Sequence, residues 1–213
     1  MSKLLALNAS TDESLVGVKA ARLASIAKGN LSIPDGFIIP ANVSVKDGIS
    51  NDLIDALNKL GTPAILRISA PNDQTIITSA LLDINSNNIV DTVAQAQAAN
   101  PNCAIIIQKS LNAEIWGTAT SINPETKATN EIYTASSMFS IADPDPADII
   151  LLDKNTGSVI AERQIPDTSI LTSDHLESIH SATIEIERIF KVPVRIKLGF
   201  DTGKLYIIGV KPL

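Results

Sequence analysis

Two hydrophobic periods alternate along the whole chain, and this alternation restricts the fold more than any other feature of the sequence. Residues 174–190 place apolar side chains three or four positions apart, the period of an amphipathic helix. Residues 103–108 form a continuous apolar run of strand length, typical of a strand that is covered on both faces. Because segments of both kinds follow one another from end to end, we expect a mixed α and β fold.

The same two periods predict the individual elements. Helices are expected at residues 14–28, 51–59, 88–99 and 174–190, the last capped by Ser173 or Asp174. Strands are expected after the Pro-Asp-Gly turn of residues 33–40 and at residues 64–70, 103–108, 115–121, 131–136, 147–152, 157–163, 194–200 and 204–210. The final two strands flank an Asp-Thr-Gly sequence, which predicts a tight hairpin.

No repeat, low-complexity tract or linker interrupts the chain, so we expect one compact domain over residues 1–213, with 1–100 and 101–213 as its subdomains. The N-terminal apolar run is too short for a signal sequence, and no stretch approaches the roughly 20 apolar residues of a membrane span. These features predict a cytoplasmic protein that does not bind membranes.

Composition excludes several classes of function. A net charge of -6 provides no basic surface for the phosphates of a nucleic acid, which is therefore not an expected partner. Aromatic residues make up 3% of the chain, so few side chains are available for stacking on bases. Cys103 is the single cysteine, which rules out an internal disulfide and a cysteine-based zinc site and predicts a buried bystander.

Eight short motifs, taken in order, carry a resemblance to a known family. They are GVKAARL (17–23), IPDGF (33–37), LRISA (66–70), IIIQ (105–108), WGTATSINP (116–124), IERIFKVP (186–193), RIKL (195–198) and LYIIGVKP (205–212). In this order they resemble the N-terminal nucleotide-binding domain of phosphoenolpyruvate synthases and pyruvate phosphate dikinases, and the match spans nearly the whole chain. The resemblance implies an α+β, ATP-grasp-like fold of two small α/β subdomains, here with a trimmed lid.

The resemblance also implies which residues would hold a nucleotide. In the family a lysine and an arginine hold the ATP phosphates, and these positions correspond to Lys19 and Arg67. Gln108 ends the matching strand, and a hinge is expected from Gln108 to Leu111. The alternative is that Lys19 is a solvated helix residue and that Arg67 pairs with one of the chain's acidic side chains.

The metal-binding half of the implied site is substituted. The family's metal-binding glutamate corresponds to Lys197, and the aspartate two residues earlier corresponds to Arg195. The family's glutamine and arginine in the last strand correspond to Gly209 and Lys211. Because Mg²⁺ requires oxygen ligands and is repelled by ammonium groups, we expect no metal at these positions.

The predicted lid is also altered. Residues 71–85 contain no counterpart of the family's glycine-rich loop, and no glycine occurs between Gly61 and Gly117. Residues 136–142 replace a Gly-Leu-Gly-Glu stretch, and the segment from Arg67 to Gln108 is shorter than its family equivalent. These differences argue against closure of the protein over ATP.

The histidines add no catalytic group. His175 and His180 are five positions apart on the predicted last helix, a spacing that does not place them on one face, so we expect structural or solvent-exposed roles. The full enzymes also carry a phosphohistidine domain and a phosphoenolpyruvate-binding barrel, and neither fits in 213 residues.

Three hypotheses about function follow. The first is a catalytically inactive ATP-grasp-like domain that acts as a binding, scaffold or assembly module with a protein partner or with itself. The second is an ATP-binding domain of a phosphoenolpyruvate synthase-like kinase with residual nucleotide binding or phosphotransfer. The third is an unrelated α+β domain. The substitutions favour the first hypothesis, a protein that is not an enzyme and has no cofactor, although ATP binding is left open.

Overall fold

The computed structural model describes residues 3–72, 81–138, 148–164 and 170–213. The chain forms two compact units, the first comprising Met1–Lys28 and Pro34–Ser110, and the second comprising Gly29–Ile33 and Leu111–Leu213. The prediction of an α+β architecture is confirmed, because each unit combines an antiparallel sheet with at least one helix. No helix in the described part of the chain has the length and apolar character needed to cross a bilayer.

The first unit is built on a five-stranded antiparallel sheet. Its elements are β1 (Leu5–Ala6), α1 (Glu13–Lys28), β2 (Gly36–Ile39), a 3₁₀ turn (Val45–Asp47), α2 (Ser50–Leu60), β3 (Ala64–Ser69), β4 (Leu81–Ile84), α3 (Ile89–Ala99) and β5 (Ala104–Lys109). The strands lie in the order β1-β2-β5-β3-β4. The apolar run of β5 is explained by its place at the centre of the sheet, where its first five residues are buried.

Opposite faces of this sheet contact different helices. Leu66, Ile105 and Ile107 lie on one face and share a hydrophobic core with Leu57 of α2 and Val93 of α3. Because side chains alternate along a strand, Ser69 and Gln108 lie on the other face, and Ser69 contacts α1. The first unit is therefore a helix–sheet–helix sandwich.

The second unit is built on a six-stranded antiparallel sheet. Its elements are β6 (Ile115–Thr120), β7 (Glu131–Ser137), β8 (Asp148–Asp153), β9 (Val159–Gln164), α4 (Ser173–Phe190), β10 (Val194–Asp201) and β11 (Lys204–Pro212). The strands lie in the order β11-β10-β6-β7-β8-β9. Helix α4 packs on β10, β11 and β6, and buries Ile179 and Ile186.

The terminal hairpin contains one irregularity. Lys197 pairs with Gly209 and Leu198 pairs with Ile207, so Ile208 is an extra residue in β11. This β-bulge shifts the register of the two strands by one residue.

The structure corrects the predicted cap of the last helix. Thr172, not Ser173 or Asp174, is the N-cap, because its hydroxyl accepts a hydrogen bond from the His175 backbone N–H at 3.3 Å. The His175 ring in turn accepts a hydrogen bond from the Thr172 N–H at 3.2 Å, forming a reciprocal capping box. Of the two roles expected for His175, structural or solvent-exposed, the structure shows the structural one.

His180 also has a structural role. Its Nε2 lies 2.9 Å from the backbone oxygen of Lys154, in the turn between β8 and β9. Lys154 donates to Ser121 O at 2.9 Å and forms an ion pair with Glu187 of α4 at 2.6 Å. These contacts tie the β8–β9 turn to α4.

Two expectations about the lid lie partly outside the described residues. The segment predicted to lack a phosphate-binding loop spans residues 71–85, of which 73–80 are not described. Residues 139–142 of the other replaced stretch are likewise not described. The trimmed lid therefore stays a prediction.

Candidate functional site

Helix α1 and strand β3 meet through an unusually close backbone contact. Gly17 interrupts α1 with φ 74° and ψ 162°, a conformation that is essentially restricted to glycine. A Cβ atom at this position would lie 2.1 Å from the backbone oxygen of Ser69. The glycine at the start of the GVKAARL motif therefore allows the chain to lie directly against the end of the LRISA motif.

Strand β3 and the residue that follows it also provide acceptors for the helix that resumes after Gly17. The Val18 N–H donates to Ala70 O at 2.8 Å, and the Ala20 N–H donates to the Ser69 hydroxyl at 3.0 Å. Amide groups at the start of a helix have no acceptor within the helix, and such groups frequently bind anions. Here these two amides are already satisfied by the protein.

Lys19 lies along the same strand. Its side chain is half-buried, and its Nζ donates to Ile68 O at 3.0 Å. An ammonium group has three donors, so Ile68 O need not be its only acceptor. Lys19 is thus held beside β3 at the level of Arg67.

Arg67 and Gln108 contact each other on the sheet. The Arg67 Nη1 donates to the Gln108 Oε1 at 3.3 Å, and burial lowers the pKa of the Arg67 guanidinium below its ordinary value. Gln108 is fully buried, and its Nε2 donates to Pro34 O at 3.1 Å. Gln108 therefore links β3 to the turn that precedes β2.

The structure brings Lys19, Arg67 and Gln108 together around β3 within the first unit. The close fit extends to the IPDGF turn, because a Cβ at Gly36 would lie 2.5 Å from Ile107 O. Four of the motifs quoted above therefore form one continuous set of contacts. Whether these residues bind a nucleotide, and whether a hinge lies at Gln108 to Leu111, stay predictions.

The four substituted positions lie together in the second unit. Arg195 pairs directly with Lys211, and Lys197 pairs directly with Gly209. On the other side of β10, Arg195 pairs with Thr120 and Lys197 with Thr118. Arg195, Lys197 and Lys211 are exposed, whereas Val194, Ile196 and Leu198 are buried, as expected for residues on the opposite face of the strand.

The residues of this group do not fit a Mg²⁺ ion. Guanidinium and ammonium groups donate hydrogen bonds and carry positive charge, so none of them can coordinate a cation. The neighbouring threonine hydroxyls are neutral and do not offset three positive charges. In the described ranges, no three His, Cys, Asp or Glu side chains come together as metal ligands.

Several residues of these sites were missed by the sequence reasoning. Ser69 serves as an acceptor for α1, and Trp116, Thr118 and Thr120 lie at alternate positions of β6. The alternation of WGTAT was a usable signal for the shared face in β6. Ser69 gave no such signal, because its role depends on a contact between distant parts of the chain.

A small cavity of about 250 Å³ also lies in the first unit. Its lining is mostly polar and consists of Ala41, Asn42, Val43, Ser44, Gln97, Asn100, Asn102 and Cys103. Burial raises the pKa of the Cys103 thiol, which keeps this side chain protonated and weakly nucleophilic. Cys103 is half-buried at the edge of the first core, less buried than predicted, and its role as a bystander stays a prediction.

Comparison with known proteins identifies the fold. No protein-family model and no curated protein sequence matches the chain. Solved structures do match, among them the ADP complex of N5-carboxyaminoimidazole ribonucleotide synthetase, with a TM-score of 0.58 and 13% identity over 88% of this chain and 42% of that chain. The ATP complex of D-alanine–D-alanine ligase from Bacillus anthracis matches with a TM-score of 0.58 and 14% identity, over 91% of this chain and 53% of that chain.

A third match is the VanG D-Ala:D-Ser ligase from Enterococcus faecalis, with a TM-score of 0.56 and 12% identity over 90% of this chain and 51% of that chain. This chain therefore spans about half the length of these proteins or less. Identities this low identify the fold alone. Since all three proteins share the ATP-grasp architecture, and the matches cover nearly all of this chain, the chain has an ATP-grasp fold.

Proposed function

We propose that this chain is a catalytically inactive ATP-grasp domain, related to that of phosphoenolpyruvate synthases and pyruvate phosphate dikinases, which acts as a cytoplasmic binding, scaffold or assembly module. The observation that carries the proposal is the group of three cations, Arg195, Lys197 and Lys211, on one face of β10 and β11. The resemblance places the family's metal-binding glutamate at Lys197 and an aspartate at Arg195.

Phosphoryl transfer depends on charge neutralisation, which explains why these substitutions matter. Enzymes that transfer the γ-phosphate of ATP hold it with metal ions, which bridge the phosphate oxygens and stabilise the charge of the transition state. Lys197 and Arg195 repel a divalent cation, and Gly209 has no side chain to contribute a ligand. A transfer reaction that requires bound Mg²⁺ is therefore not supported by this arrangement.

The residues that match the resemblance mostly have structural roles. Gly17 and Gly36 allow close backbone contacts, and Gln108 joins two parts of the first sheet. Positions that the resemblance assigns to metal binding differ, whereas positions that hold the fold agree. This division supports a domain that has kept its architecture for a purpose other than catalysis.

The alternative function is an ATP-binding domain of a phosphoenolpyruvate synthase-like kinase, with residual nucleotide binding or phosphotransfer. Lys19 and Arg67 favour it, since both lie beside β3 and a guanidinium can bind a phosphate through two parallel hydrogen bonds. In this alternative, Mg²⁺ accompanies ATP and strengthens its binding.

Calorimetric titration of the chain with ATP separates the two functions. We expect that adding Mg²⁺ does not tighten ATP binding and that no ADP is formed during prolonged incubation. Tighter binding with Mg²⁺, abolished in Arg67→Ala, would instead establish the alternative. Arg188→Ala is the matched control, because Arg188 is an exposed arginine whose side chain pairs with Glu185 of the same helix.

A scaffold or assembly role requires a partner, which we propose to be a protein or a second copy of this chain. If the chain assembles with itself, light scattering coupled to size-exclusion chromatography will give a mass above that of one chain, rising with concentration. A constant single-chain mass at high concentration would exclude self-assembly and leave the role to a different protein.

A further inference from the structure

The three cations of the second unit are placed in a way that the fold itself does not explain. Arg195 and Lys211 occupy directly opposed positions on β10 and β11, and Lys197 follows two residues later on the same face. Directly opposed side chains in an antiparallel pair have Cβ atoms about 5 Å apart, and like charges at this distance destabilise the pair. Successive residues on one face are about 7 Å apart, so all three charges lie close together.

No carboxylate in the register of these strands offsets the three charges. The adjoining positions on this face are Gly209 on β11 and Thr118 and Thr120 on β6. Within the described part of the second unit, the Arg195, Lys197 and Lys211 side chains make no hydrogen bond or ion pair. A cluster of like charges that costs stability and has no partner among the described residues of its unit is suited to binding an external anion.

We propose that Arg195, Lys197 and Lys211 form a binding site for a phosphate chain that carries no metal. The planar guanidinium of Arg195 can bind one phosphate group through two parallel hydrogen bonds, and the ammonium groups can contact its neighbours. Three neighbouring cations supply the charge neutralisation that a metal would otherwise provide. A bound Mg²⁺ removes two negative charges from the ligand and is itself repelled, so the site discriminates against the Mg²⁺ complex.

This inference goes beyond the proposed function, which assigns no ligand to these positions. The phosphate chain could belong to a nucleoside triphosphate or to inorganic polyphosphate. Both present the same chemistry to the three cations, and titrations with each ligand distinguish them.

Trp116 provides a direct readout of binding. It is the single tryptophan of the chain, it lies on the same face of β6 as Thr118, and it pairs with Gly199 of β10. We expect its fluorescence to change saturably when the full chain is titrated with sodium tripolyphosphate at low salt. Excess Mg²⁺ should weaken this binding by about tenfold or more, the result of losing at least one charge-assisted contact.

Charge reversal tests the location of the site. We expect Lys197→Glu to weaken tripolyphosphate binding by about 100-fold, because it removes one favourable charge and adds a repulsive one. Lys59→Glu changes the net charge by the same amount at an exposed position on α2. The affinity of this variant for tripolyphosphate should stay within about twofold of that of the unsubstituted chain. Thermal unfolding monitored by circular dichroism verifies that both variants are folded.

The possible outcomes separate this inference from the proposed function. ATP and tripolyphosphate binding equally well, with both lost in Lys197→Glu, would identify the phosphate chain alone as the ligand. Binding of ATP that is tighter than that of tripolyphosphate, and is again lost in Lys197→Glu, would show that the phosphate chain belongs to a nucleotide. The inference is overturned if no saturable change occurs, if Mg²⁺ strengthens binding, or if Lys59→Glu weakens it as much as Lys197→Glu. Loss of ATP binding in Arg67→Ala together with a requirement for Mg²⁺ would instead overturn the proposed function.

Discussion

Replacing Gly17 with alanine will destabilise the first unit by about 3 to 5 kcal/mol. Two costs combine in this variant. The backbone at Gly17 adopts φ 74° and ψ 162°, which an alanine occupies only under strain, and the added Cβ would lie 2.1 Å from Ser69 O. Relief of the clash requires α1 to move away from β3, which breaks the hydrogen bonds from Val18 and Ala20.

Gly61→Ala is a matched control for this prediction. Gly61 has nearly the same backbone conformation, φ 85° and ψ 162°, but among the described residues no atom beyond its two chain neighbours lies within 4 Å of the Cβ that alanine would add. We expect Gly61→Ala to lower the free energy of unfolding only by the cost of the strained backbone conformation, about 1 to 3 kcal/mol. Urea unfolding followed by circular dichroism measures both variants, and equal losses would show that the contact with Ser69 contributes nothing.

Replacing Phe200 with alanine will destabilise the second unit by a similar amount, about 3 to 5 kcal/mol. Phe200 is 1% exposed, and its ring centroid lies 4.3 Å from that of His175. The substitution leaves a cavity beneath α4 and removes the ring against which the capping histidine packs. The start of α4 should therefore become less protected against amide hydrogen exchange.

Phe190→Ala is a control for Phe200→Ala, because it removes an aromatic ring that is less buried. Phe190 ends α4 and is only half-buried, so its replacement should cost clearly less free energy than that of Phe200. Chemical denaturation gives the free energy of unfolding for both variants. A loss at Phe190 as large as that at Phe200 would contradict the description of the core.

Much of the fold could be predicted because local patterns in this chain agree with its tertiary environment. The unbroken apolar run of β5 identified a central strand, and the Asp-Thr-Gly turn identified the terminal hairpin. Strand β1 has two residues and β4 has four, which is too short for a periodic pattern to be recognised. The Thr172 cap was missed because Ser173 and Asp174 have equally suitable side chains, and only the backbone conformation distinguishes them.

The residues of the candidate sites could be predicted from the sequence, but the contacts between their side chains could not. The resemblance indicated Lys19, Arg67, Gln108 and the four substituted positions, and it did not indicate which side chains contact one another. The hydrogen bond between Arg67 and Gln108 joins residues 41 positions apart in the chain. Contacts of this kind depend on strand pairing, for which the sequence contains no local signal.

The bulge at Ile208 determines which side of the second sheet receives the last charge of the chain. Beyond the bulge, the pairing of β10 with β11 is displaced by one residue, which brings Lys211 opposite Arg195 instead of opposite the buried Val194. The extra residue also allows consecutive isoleucines, Ile207 and Ile208, both to be buried. A single residue thus divides β11 into a section that completes the hydrophobic interior and a section that presents positive charge. If Ile208 instead paired with Lys197 in a regular ladder, Lys211 would point into the core beneath α4.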